Sequence, residues 1–111
     1  MKIADARTVI TGGASGLGLA VARHITTAGG RVTLLDVQEG PGQAAAASLG
    51  GNAAFAKCDV TSEEEVNAAM ESARASMGSI NFLVNCAGVI GAGRVLGKNG
   101  PTYTPLARAL R

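Results

Sequence analysis

The stretch Thr11-Gly12-Gly13-Ala14-Ser15-Gly16-Leu17-Gly18 crowds four glycines into eight residues. Backbone without side chains can approach a pyrophosphate closely. Where such a turn opens a helix, the free N–H groups and the positive end of the helix dipole face the anion. Gly12, Ser15, Gly16, Leu17 and Gly18 are the candidate contacts. Glycines also build ordinary tight turns, so the placement after a strand and before an amphipathic helix carries the assignment. Ser15 can either bond the ligand or cap the helix, and both roles stay open.

Asp36 follows Gly18 by 18 residues, at the end of the next apolar run. A carboxylate there can accept hydrogen bonds from both hydroxyls of an adenosine ribose, and its charge repels a 2′-phosphate. No Lys or Arg lies between Gly12 and Gly18 or immediately after Asp36 to offset that repulsion. NAD is therefore expected over NADP. Asp59-Val60 can hold an adenine, the carboxylate by its amino group and the valine by its ring face. Asn85-Cys86-Ala87-Gly88 offers small residues where a backbone passes near a cofactor, with Asn85, Ala87 and Gly88 as candidates.

These residues need a scaffold that brings them to one place. Thr8-Val9-Ile10 reads as a short buried strand, followed by a helix whose apolar positions Leu17, Ala20, Val21, Ile25 and Ala28 share a face. Gly29-Gly30 stops that helix as a left-handed cap would. Arg31 to Asp36 is a second strand. Pro41 suits the first turn of a helix running to Leu49. Ala53 to Asp59 is a weaker strand, since alanine is a poor strand former.

Thr61 and Ser62 each precede a glutamate by three residues, the spacing of a capping box. The helix they open has Val66, Ala69, Met70, Ala73 and Met77 on its buried stripe. Ile80 to Asn85 is a fourth strand. Alternating strands and helices predict an α/β fold with a parallel sheet. Open parallel sheets bind ligands at the carboxyl ends of their strands, where all four motifs would meet.

Composition limits the other readings. One hundred and eleven residues fit a single domain, and 47% hydrophobic with 16% charged residues excludes a disordered chain. No apolar run approaches the ~20 residues of a membrane span. Lys2, Asp5 and Arg7 precede any apolar stretch, so no export segment is read there. Two cysteines make no disulfide framework, which favours a reducing compartment: the cytoplasm, or the mitochondrial matrix in a eukaryote.

Residues 1–89 carry a net charge of −2 and residues 90–111 one of +4. Tyr103 is the one aromatic in that basic tail, so base stacking and nucleic-acid binding are not expected. The division is a nucleotide-binding portion at 1–90 and a Gly/Pro-rich basic loop with the start of a helix at 91–111. Cys58 and Cys86 read as small buried thiols without a metal-ligand pattern, and His24 as a satisfied or partly exposed helix residue. No metal site is expected.

Thr-Gly-x-x-x-Gly-x-Gly, a strand-end Asp, Asp-Val and Asn-x-Ala-Gly in this order resemble the short-chain dehydrogenase/reductase family over residues 7–90. Gly16-Leu17-Gly18-Leu19-Ala20, Leu34-Leu35-Asp36 and Asn85-Cys86-Ala87-Gly88 are similar to the type 2 3-hydroxyacyl-CoA dehydrogenase group within it. The resemblance implies a Rossmann-like parallel sheet in the order 3-2-1-4, here an incomplete doubly wound fold, hydride transfer between NAD and a secondary alcohol such as a 3-hydroxyacyl-CoA, and dimers or tetramers. Family members run to about twice this length and use a serine, a Tyr-x-x-x-Lys pair and a helix asparagine. Here the residue four places after Tyr103 is Ala107, and no catalytic residue is assigned. The resemblance thus implies a cofactor-binding half. A nucleotide-binding or interaction module without catalysis, or a truncated product without activity, are the alternatives.

Overall fold

A computed structural model describes residues 2–14 and 16–86. A short 3₁₀ turn at Ile3–Asp5 leads into β1 (Arg7–Thr11), α1 (Gly16–Thr27), β2 (Arg31–Asp36), α2 (Glu39–Leu49), β3 (Ala53–Lys57), α3 (Glu63–Met77) and β4 (Phe82–Asn85). The four strands form one parallel sheet in the expected order β3-β2-β1-β4. Helices α1 and α2 cover one face and α3 the other. Val9 and Leu35 pack with Val66, Ala69, Met70, Ala73 and Met77. Ile10, Val32 and Leu34 pack with Ala22, Ile25, Ala45 and Ala46. The central strands are buried on both faces, so Thr8–Thr11 and 32–35 are buried without alternation and hold only apolar and threonine side chains.

Each helix end has a sequence cause. Gly29 closes α1 at φ 97°, with its N–H on the Thr26 carbonyl and that of Gly30 on Ile25. That pair of bonds is a Schellman motif. Gly78 ends α3 in the left-handed region. Ser62, not Thr61, caps α3, accepting from the Glu65 N–H at 3.3 Å. The Glu65 carboxylate turns instead to the Asp59 N–H, at 3.1 Å, so the reciprocal half of the capping box is absent. The Thr61 hydroxyl is occupied by Asp59.

Three expectations change. The α1 stripe is rotated: Leu17 is 65% exposed, Ala20 and Ala28 are exposed, Val21 is half-buried, and Gly18, Ala22 and Ile25 face the sheet. The α1 start is pressed against the loop before it through Gly18, and glycine leaves no mark in an apolar pattern. Strand β3 ends at Lys57 and β4 begins at Phe82, both shorter than expected, whereas α2 runs Glu39–Leu49 with Pro41 in its first turn, as expected. Cys58 is buried as expected, whereas Cys86 is only half-buried.

Candidate nucleotide site

Strands running in parallel put Gly12, Asp36, Asp59 and Asn85 on one edge of the sheet. The loop after β1 is tied down by the Gly12 N–H, which donates to the Leu35 carbonyl at 2.8 Å. Gly12 and Gly16 have φ of 70° and 61°, a region that favours glycine. Gly18 is required for a different reason: a Cβ there would stand 2.3 Å from the Gly12 carbonyl oxygen. Two glycines shape the turn and the third lets helix and loop touch. The first turn of α1 contains no acidic residue, so its positive dipole end is not offset by its own side chains. Leu17 projects from that turn into solvent.

Asp36 is half-buried at the end of β2. One carboxylate oxygen accepts from the Ala14 N–H at 3.2 Å and the other from the Gln38 N–H at 3.1 Å. The carboxylate therefore braces the glycine-rich loop while keeping acceptor capacity for further donors, since an ionised carboxylate has about four lone-pair sites. Val37 beside it is 55% exposed and offers an apolar surface that the sequence reading passed over. An apolar residue directly after a strand-end acid was the available signal.

Asp59 is exposed beyond β3, with half-buried Val60 next to it. The Thr61 hydroxyl and N–H both donate to one Asp59 oxygen, at 2.7 and 2.9 Å. These bonds hold its carboxyl below the usual carboxylate range, so it is ionised at neutral pH and available as an acceptor. Cys58 is the opposite case. Burial, with Glu65 and Asp59 nearby, pushes its thiol up to about 11, which makes it an inert packing group. Burial also raises Cys86.

Asn85 does not stand free. The Thr11 hydroxyl donates to its side-chain oxygen at 2.6 Å, and the Cys86 N–H donates to the Thr11 carbonyl at 3.0 Å. Asn85 thereby locks the ends of β1 and β4 together through Thr11, which the sequence placed only as the first residue of the glycine-rich motif. Ser15, Ala87 and Gly88 lie outside the described residues, as does Tyr103. His24 is exposed on α1, in a shallow depression with Ala20, Arg23 and Thr27 that is remote from this edge. Among the described residues no His, Cys, Asp and Glu cluster fits a metal ion, and no helix is long and apolar enough to cross a membrane.

Lys57 adds to the charge argument. It is β3's partner to Asp36 in the sheet register, which places a cation at this edge that no inspection of the neighbouring sequence reveals.

The fold agrees with comparisons to known proteins. Residues 6–102 match the short chain dehydrogenase family. Human 3-hydroxyacyl-CoA dehydrogenase type-2 is 45% identical over 97 residues, covering 86% of this chain and 37% of the human protein. The rat protein of the same name is 51% identical over 81 residues, covering 73% of this chain and 31% of its own. A solved short-chain dehydrogenase/reductase from Brucella melitensis, described as a glucose/ribitol dehydrogenase, superposes with a TM-score of 0.67 at 31% identity. That match covers 75% of this chain and 37% of the other. The chain thus spans about a third of the length of the curated relatives it matches. On residues and fold together, the chain belongs to the short-chain dehydrogenase family.

Proposed function

We propose that this chain binds NAD along the carboxyl edge of its sheet and is the cofactor-binding portion of an oxidoreductase acting on a secondary alcohol such as a 3-hydroxyacyl-CoA. The observation that carries the reading is the Asp36 carboxylate, set at the end of β2 and braced on the loop amide of Ala14. In the proposed complex the loop from Gly12 to Gly18 and the start of α1 hold the pyrophosphate, with Ser15 among the contacts. Asp36 takes the ribose hydroxyls, and Asp59 and Val60 take the adenine. Asn85, Ala87 and Gly88 border the path toward the nicotinamide, which supplies hydride transfer when bound. The substrate class rests on the likeness to the type-2 dehydrogenases.

Residues 1–90 form the nucleotide-binding portion in this reading and 91–111 an appended basic segment, in a reducing compartment such as the cytoplasm. A reading without turnover is favoured by one observation: Tyr103 has Ala107, not lysine, four places on. The Tyr-x-x-x-Lys spacing that sets a cation beside a tyrosine for proton transfer is then not met at Tyr103. Calorimetric titration of the 111-residue chain with NAD and NADP tests binding; saturable NAD binding is expected, and none would overturn the reading. NADH absorbance with a short 3-hydroxyacyl-CoA separates the two forms of it. We expect no turnover from these residues by themselves.

A further inference from the structure

We propose that Lys57 is a second reader of the nucleotide's 2′ position, an ammonium beside Asp36 that gives a 2′-phosphate an anchor and so narrows the preference for NAD. The inference rests on the proposed NAD site. Asp36 and Lys57 are register partners on adjacent parallel strands, which lie about 4.8 Å apart. Partners in register project to the same side of a sheet. Two residues earlier, Leu34 and Phe55 are also partners, and both pack on the α1 and α2 side. By the two-residue alternation of strands, the side chains of Asp36 and Lys57 leave the sheet on that same side. The pairing persists to the strand ends, where the Cys58 N–H donates to the Asp36 carbonyl at 2.9 Å.

Lys57 is exposed and makes no ion pair with any described residue. The other described cations stand elsewhere. Lys2, Arg7 and Arg31 precede or open strands at the amino edge, and Arg74 is in the last turn of α3. Arg23 lies in the third turn of α1, which runs away from the site. Among the described residues Lys57 is therefore the cation at the carboxyl edge. A 2′-phosphate placed by the ribose contacts of Asp36 would meet repulsion from one strand and attraction from its neighbour. Asp36 alone would exclude NADP more strictly than this pair does.

The test titrates the 111-residue chain and its Lys57→Gln, Lys57→Arg, Asp36→Ala and Asp36→Ala/Lys57→Gln variants with NADH and NADPH, followed by nucleotide fluorescence. Adenosine 2′,5′-bisphosphate serves as a probe without nicotinamide. Loss of one unit charge near a phosphate predicts that Lys57→Gln lowers the NADPH-to-NADH affinity ratio by roughly three- to tenfold. Lys57→Arg should hold that ratio, and the difference should shrink in ~0.5 M salt. Asp36→Ala should gain affinity for the bisphosphate, and the double variant should lose most of the gain. A ratio unchanged by Lys57→Gln, with NADH binding intact in the unsubstituted chain, overturns the role of Lys57 alone. Absence of NADH binding by the unsubstituted chain overturns the site and this inference together.

Discussion

One carboxylate serves two partners at the centre of the site. Asp36 accepts from the Ala14 and Gln38 amides, so the group proposed to read the ribose also holds the loop proposed to carry the pyrophosphate. Replacing Asp36 with Ala should weaken NAD by roughly 10- to 100-fold, since charge-assisted bonds are worth ~1.5–3 kcal/mol each. Calorimetry of the variant checks this, and an unchanged affinity would remove Asp36 from the site. Cys58 gives a prediction at alkaline pH. Its thiol sits at about 11 in the fold against an ordinary 9.0, so between those values the unfolded chain releases a proton that the folded chain keeps. Stability contributed by the protonated thiol is then complete below pH 9 and falls as pH rises toward 11. Denaturant melts at several pH values should show the loss flattened in Cys58→Ala relative to the unsubstituted chain; parallel curves would deny the shift. Asp59 has the reverse sign. Its lowered pKa adds stability above the unfolded value that disappears as pH falls through the folded one.

Among the elements, the close approach of α1 to the glycine-rich loop sets the site's shape. Gly18→Ala would force a Cβ to 2.3 Å from the Gly12 carbonyl, a backbone atom with nowhere to retreat. We expect a loss of about 1–3 kcal/mol or more in a denaturant melt, together with weakened NAD binding; an unaltered melt would contradict the contact. The same contact explains what was legible. The α3 stripe could be read residue by residue because Val66, Ala69, Met70, Ala73 and Met77 answer only to the core. The α1 stripe could not, because its position is set by Gly18, which has no side chain to count. The parallel sheet and the convergence of Gly12, Asp36, Asp59 and Asn85 followed from the alternation of strands and helices, whereas the strand order came with the family resemblance. The Thr11–Asn85 bond and the pairing of Lys57 with Asp36 did not, since both depend on a register that only packing determines. The capping spacing offered Thr61 and Ser62 equally, and the Asp59 turn decides between them by engaging Thr61. Ser62→Ala should therefore cost about 1 kcal/mol, as N-cap removals do, and a thermal melt showing no loss would exclude it as the cap.

At the scale of the whole molecule, the two borders of the sheet differ in what they expose. Strand β3 is short and alanine-rich, with Lys57 at its end, and charge on an edge discourages pairing. Strand β4 pairs with β1 on one side, and no described strand flanks its other side. It carries Phe82, 51% exposed, and half-buried Leu83 and Val84, with no charged residue between Phe82 and Asn85. An apolar, uncharged strand edge with no partner among the described residues is a template for another strand. The 111-residue chain is therefore expected to associate through β4, with itself or with a segment that completes the sheet. Phe82→Lys places a charge on that edge at an already exposed position, so it should reduce association while leaving the folded core intact. Light scattering over a concentration series up to ~100 μM, beside a denaturant melt, reads both effects. Concentration-dependent mass in the unsubstituted chain, lowered in Phe82→Lys without loss of the cooperative transition, is the expected result. An unsubstituted chain that stays monomeric throughout the series and unfolds in one cooperative step would show that β4 is already a finished edge.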